Sequence, residues 1–185
     1  MGAMRCVFAL PAVLAALIAA GCGGTSHSSS TAPRRARVPI RVSSDFAAGA
    51  AIPRVHTCDG RDVSPPLRAS GLPVGTKELA VVMVDPDAPG GDFIHWGIAH
   101  LSAAAGSMSM AAGVRPAGAV LGRNSFGSLG YRGPCPPAGP SHHYHITVYA
   151  LGQPSGLSQG FSADNVSTVS VLGQGTLIGT YARAR

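Results

Sequence analysis

Two carboxylates held between prolines stand in the run Val84-Asp85-Pro86-Asp87-Ala88-Pro89, and His95-Trp96 follows a few residues later. Far along the chain comes a second polar group, His142-His143-Tyr144-His145. Paired acids near an imidazole could serve acid–base chemistry. An imidazole beside a carboxylate is favoured in its charged form and donates charge-assisted hydrogen bonds. A cavity of imidazoles, a phenol and loop N–H groups therefore suits a small anion such as phosphate. Asp85 would orient and charge a histidine, Asp87 would hold the turn, and the prolines would make rigid walls because they lock φ and lack an N–H. Other chemistries fit less well. His143 and His145 share the outward parity of their strand, and two exposed histidines fall short of the three or four ligands of a zinc site, so no metal is expected. No nucleophile elbow, phosphate-binding loop or dinucleotide fingerprint occurs, so no cofactor is expected. A hydrolase triad drawn through Asp85, His95 and Ser125 or Ser141 has no supporting spacing.

These residues need strands to position them. Glu78 to Val84 is apolar on both faces, which fits a strand covered on both sides. Counting by twos puts Leu79, Val81, Met83 and Asp85 on one face, so Asp85 ends the strand pointing inward. His95 to Leu101 reads as the next strand. Tyr144, Ile146, Val148 and Ala150 alternate with His143, His145, Thr147 and Tyr149, so His142 and Tyr144 should also point inward. Arg41 to Ser44 is a candidate first strand, and Thr176 to Tyr181 a last one. Ala103 to Gly113 fits either a short helix or an irregular loop. Phe161 to Leu172 is the best helix candidate, with Ser162 or Asp164 as N-cap. The long Gly/Pro-dense segment 122–140 should be an ordered functional loop. Many short strands with Gly/Pro turns and almost no helix predict a β-sandwich of two antiparallel sheets.

The chain has 185 residues, enough for one domain with a real core. Residues 1–21 read as a lipoprotein signal: Arg5, an apolar run from Val7 to Ala20, then Ala19-Ala20-Gly21-Cys22, in which Cys22 would carry lipid. Residues 22–39 form a Gly/Ser/Thr/Ala/Pro tract with Arg34, Arg35 and Arg37, expected to be a flexible tether, and residues 40–185 form the domain. The expected location is therefore exported and anchored to a bacterial cell membrane. The net charge of +6 sits in the stem, since nine basic residues face eight acidic ones beyond position 41. That balance gives no case for nucleic-acid binding; the basic stem suits an anionic membrane surface or is a solubilising linker. Cys58 and Cys135 remain in the domain, an even pair compatible with one disulfide or with two buried thiols.

Asp85-Pro86-Asp87-Ala88-Pro89, Phe93-Ile94-His95-Trp96, Gly130-Tyr131-Arg132-Gly133-Pro134-Cys135-Pro136-Pro137 and His142-His143-Tyr144 together resemble the bacterial branch of the phosphatidylethanolamine-binding protein family, to which the Raf kinase inhibitor protein also belongs. Cys58-Asp59-Gly60, Ser64-Pro65-Pro66-Leu67 and Gly122-Arg123-Asn124-Ser125-Phe126-Gly127 extend the resemblance over Val42 to Arg183. It implies a two-sheet sandwich with a small anion pocket at one end, lined by Asp85, His95, His142 and Tyr144, with the Gly133 to Pro137 loop as a wall. It also implies cis peptide bonds around the Asp-Pro segment. His100-Leu101-Ser102 stands where relatives carry Asn and Pro, and His143 where Arg is common. The implied function is non-enzymatic binding of a phosphate-bearing headgroup or similar small anion. A second implied function is regulation of another protein, a protease or kinase, through the same face.

Overall fold

The computed structural model describes residues 38–184. The signal segment, Cys22 and most of the expected tether lie outside them. Nine strands and one short helix follow in order: β1 Val38–Pro39, β2 Arg41–Ser43, β3 Leu67–Ser70, β4 Glu78–Asp85, β5 Phe93–Leu101, β6 Ser107–Met110, β7 Val120–Leu121, β8 His142–Leu151, α1 Asp164–Thr168 and β9 Val171–Tyr181. Among the described residues, one 3-10 turn occurs, at Arg54–His56. The large sheet has the order β1-β9-β8-β4-β5-β7 and the small one β2-β3-β6. All pairings are antiparallel except β1 with β9.

The alternation in β8 does what its period requires. Tyr144, Ile146, Val148 and Ala150 are fully buried between the sheets, where they meet Leu79, Val81 and Met83 of β4 and Leu67, Met108 and Met110 of the small sheet. The other face of β4 is covered too. Ala80 and Val82 pack with Ala99, Phe161, Ala163 and Val166, so the segment around α1 closes the large sheet from outside. This second layer is why β4 reads apolar on both faces.

Five expectations need correction. Pro39, assigned to the tether, already pairs with Gln174 of β9. Ala103 to Gly113 holds neither helix nor pure loop: Ser107–Met110 is strand β6, with Met108 and Met110 inward and the two serines outward. Helix α1 is only five residues long. Its N-cap Ala163 makes no side-chain capping bond, and Ser162 turns its hydroxyl to the Asp164 carboxylate instead. Strand β9 then starts at Val171, well before Thr176, with Gly173 and Gly175 inside the strand rather than breaking it. A Cβ at Gly175 would run into the carbonyl of Ile40. Finally, no peptide bond among the described residues is cis, the lower-energy arrangement before proline.

Candidate functional site

Strand β4 delivers Asp85 to the end of the large sheet with its side chain inward and 3% exposed. Oδ1 accepts the Asp87 N–H at 2.9 Å, and Oδ2 accepts Nδ1–H of His142 at 2.8 Å. A carboxylate only accepts, so the proton lies on Nδ1, and Nε2 of His142 is left with no partner among the described residues. Next along β8, His143 points the other way. Its N–H and its Nδ1 both meet Asp87 Oδ2, at 2.8 and 2.7 Å. These bonds hold the Asp87 carboxyl below its ordinary value. Asp85, not Asp87, therefore closes the turn, and Asp87 fastens the turn to the outer face of β8.

His95 comes from β5 and is 2% exposed. Its Nδ1–H donates to the Arg132 carbonyl at 2.7 Å, leaving Nε2 as a lone-pair acceptor. Burial pushes its pKa down and outweighs the opposing pull of the Arg132 carbonyl and of Asp85. The expectation of a charged imidazole fails at this position, because desolvation exceeds the attraction of an acid that is already paired. A depressed histidine pKa contributes stability that is fully present above the ordinary value of 6.5 and is lost as pH falls from there towards the folded value. Thermal melts between pH 7.5 and 5 should show this slope in the wild type and lose it in His95→Gln.

Tyr144 lies beneath His95, its ring edge-on at a centroid distance of 5.2 Å. Its hydroxyl is buried without a hydrogen-bond partner of adequate geometry, although Asp85 lies near. Burial first, and the Asp85 charge second, push its pKa up. Phe93 and Phe126 flank the His95 ring at 5.2 and 5.5 Å. Asp85, His95 and His142 form the polar side of a cavity of about 120 Å³. Phe93, Phe126, Pro136 and Pro137 form much of its apolar side, with Cys135 and Pro89 completing the rim.

Of the six ligand-site residues expected from sequence, four therefore line one cavity: Asp85, His95, Pro137 and His142. Tyr144 is its floor support. Gly133 stands behind the wall, and a Cβ there would strike the carbonyl of His56. The Gly133 N–H donates to Asp62 Oδ1 at 2.6 Å, and Arg132 Nε meets Asp62 Oδ2 at 3.0 Å. Asp62 adopts φ 57°, a left-handed conformation that aspartate tolerates better than most residues. Cys58 and Cys135 form a disulfide with Cα atoms 5.4 Å apart, which ties the same wall to the segment around Asp62. Behind that segment, buried His56 bridges the Val63 carbonyl and Asp45, and Tyr131 donates its hydroxyl to the His56 carbonyl. Asp62, Phe126 and the carbonyl of Arg132 were not legible as site components. Ser125 accepts the Ile94 N–H at 2.8 Å rather than engaging an imidazole.

The chain resembles known proteins in sequence and fold. A model of the phosphatidylethanolamine-binding protein family matches residues 42–182. A Pyrococcus horikoshii protein, UPF0098 protein PH1269, is 36% identical over 182 residues, covering 94% of this chain and 89% of its own. LppC of Mycobacterium tuberculosis, named as a candidate lipoprotein, is 41% identical over 181 residues, covering 87% of this chain and 88% of its own. Among solved structures, Escherichia coli YbcL, described as a member of the mammalian PEBP family, superposes with a TM-score of 0.71 at 29% identity, covering 79% of this chain and 99% of its own. A PEBP homologue from Chlamydia trachomatis, CT736, gives the same TM-score at 31% identity and the same coverage. With its sandwich, its Asp-Pro turn and a family match across nearly the whole described domain, this chain belongs to the phosphatidylethanolamine-binding protein family.

Proposed function

We propose that this protein binds a small phosphate-bearing headgroup, or a similar anion, in the cavity at the end of the large sheet, and that it does so without catalysis. One observation carries the reading: the Nε2 atoms of His95 and His142 make no side-chain hydrogen bond among the described residues, and both rings line the same 120 Å³ cavity. His142, fixed by Asp85 through Nδ1–H, donates from Nε2 to a phosphoryl oxygen when its ring carries both protons. His95, neutral with Nε2 as acceptor, suits a P–OH or an ammonium hydrogen of the same ligand. The proline and phenylalanine walls keep water away and strengthen both bonds. The only sulfur on the rim is locked in a disulfide, which leaves no thiol nucleophile there.

Titration calorimetry with phosphoethanolamine tests this. His142→Asn should weaken binding about 10–100-fold, the effect of losing one hydrogen bond to a charged group. Ala88→Trp, on the cavity wall but outside the buried pair, should abolish binding in a protein that melts normally. Equal affinities in all three proteins would refute the site. A phosphoester panel should show no turnover that depends on His95.

The match to LppC supports the finer proposal that the chain is exported and held at the membrane by lipid on Cys22. Incorporation of labelled palmitate that persists in Cys22→Ser would contradict it. Among the described residues no helix is long and apolar enough to cross a membrane.

A further inference from the structure

Arg41 and Arg68 stand on the outward face of the small sheet, both exposed. The register places Arg41 opposite Ser70, and Arg68 between Ser43 and Ser109. The two arginines are therefore diagonal neighbours on one face, roughly 7–8 Å apart between Cα atoms. Four serines, Ser43, Ser70, Ser107 and Ser109, complete a shallow groove of about 790 Å³ with no acidic residue in its lining. Neither guanidinium has a hydrogen bond or ion pair among the described residues. Four of the other described arginines are engaged: Arg115 with the Ala119 carbonyl, Arg123 with the Gly127 carbonyl, Arg132 with Asp62 and Arg183 with Asp59. Two unpaired like charges on one rigid face repel each other, and an anionic partner relieves that repulsion.

We infer that this face rests on an anionic lipid surface. The occupant follows from charge and from where the chain enters the domain. Strand β1 leads directly into Ile40 and Arg41, which are themselves rim residues of the groove. Arg34, Arg35 and Arg37 precede them in sequence, and Cys22 lies sixteen residues before Val38. The segment that would carry a lipid anchor thus joins the domain at the basic groove. Shallow, serine-lined and cationic, this face suits a layer of headgroups better than an apolar protein partner. The inference does not require Cys22 to be lipidated, because a basic surface is drawn to anionic lipid by charge alone.

The test uses the full chain in vesicles of phosphatidylcholine, with or without about 30 mol% phosphatidylglycerol. Arginines are modified with phenylglyoxal and each site is quantified by mass spectrometry. Phosphatidylglycerol should slow modification of Arg41 and Arg68 about fivefold, the scale of one basic residue held at an anionic surface. Exposed Arg54 and Arg61 should react at unchanged rates. The protection should vanish at about 1 M salt, where screening acts within roughly 3 Å. Equal rates at Arg41 and Arg68 in the two vesicle types would overturn the inference. So would slowing shared by Arg54 and Arg61, or equal protection by inorganic phosphate without vesicles, which would mark a site for a free anion instead of a bilayer.

Discussion

Replacing Cys58 and Cys135 together by serine is expected to lower stability by about 4 kcal/mol. The bridge closes a loop of 77 residues, and the entropy such a link removes from the unfolded chain corresponds to roughly 4.5 kcal/mol. The native wall retains other ties. Cys58 N–H donates to the Pro134 carbonyl at 3.1 Å, and Gly133 N–H to Asp62. The folded state of the variant should therefore keep its geometry, with the loss falling mainly on the unfolded side of the equilibrium. For a domain of this size the melting temperature should drop by about 10–15 °C, and reductant should lower the wild type to the same value. A change of only a few degrees would mean that the unfolded chain is already compact around this loop. Because Cys135 lies on the cavity rim, ligand affinity should fall only modestly in the variant at temperatures where it is folded.

Asp85→Ala is expected to be comparably severe, for a different reason. Asp85 is a buried acceptor for two donors, His142 Nδ1–H and the Asp87 N–H. Removing one member of a buried pair leaves the other desolvated and unpaired, at a cost of about 3–5 kcal/mol. Asp85→Asn keeps an acceptor for the turn amide but presents a weaker partner to His142. It should fold with roughly half the loss and still bind phosphoethanolamine at least about tenfold more weakly, because His142 is held less firmly at the cavity. Urea titration reads the stability and calorimetry reads the binding. If Asp85→Asn bound as tightly as wild type, orientation of His142 would not matter. Asp87→Ala should cost far less, since its contact with His143 is exposed and screened by solvent.

How much of this was readable from sequence depends on the range of the contact involved. Period-two alternation is local, and it placed Asp85, Tyr144 and His142 inward along β4 and β8, as found. Strand β6 has only four residues, too few for its alternation to stand out among small side chains. In β9, Gly175 and Gly179 look like breakers until their neighbours are known. Ile40 packs over the first, and Phe46 and Ile52 over the second, in contacts that leave no room for a Cβ. The depressed pKa of His95 is hidden from sequence for the same kind of reason: a neighbouring acid is visible in a motif, whereas complete burial is not. Asp62 was missed because it acts on Gly133, 71 residues away, through a turn conformation that composition does not reveal.

The most direct measurement of the central claim is the position of phosphorus in a crystal of the full protein grown with phosphoethanolamine. The phosphate should lie in the cavity between His95 and His142, with one oxygen about 3 Å from His142 Nε2. Phosphate density at the Arg41–Arg68 groove alone, with none against His142 at saturating ligand, would contradict it.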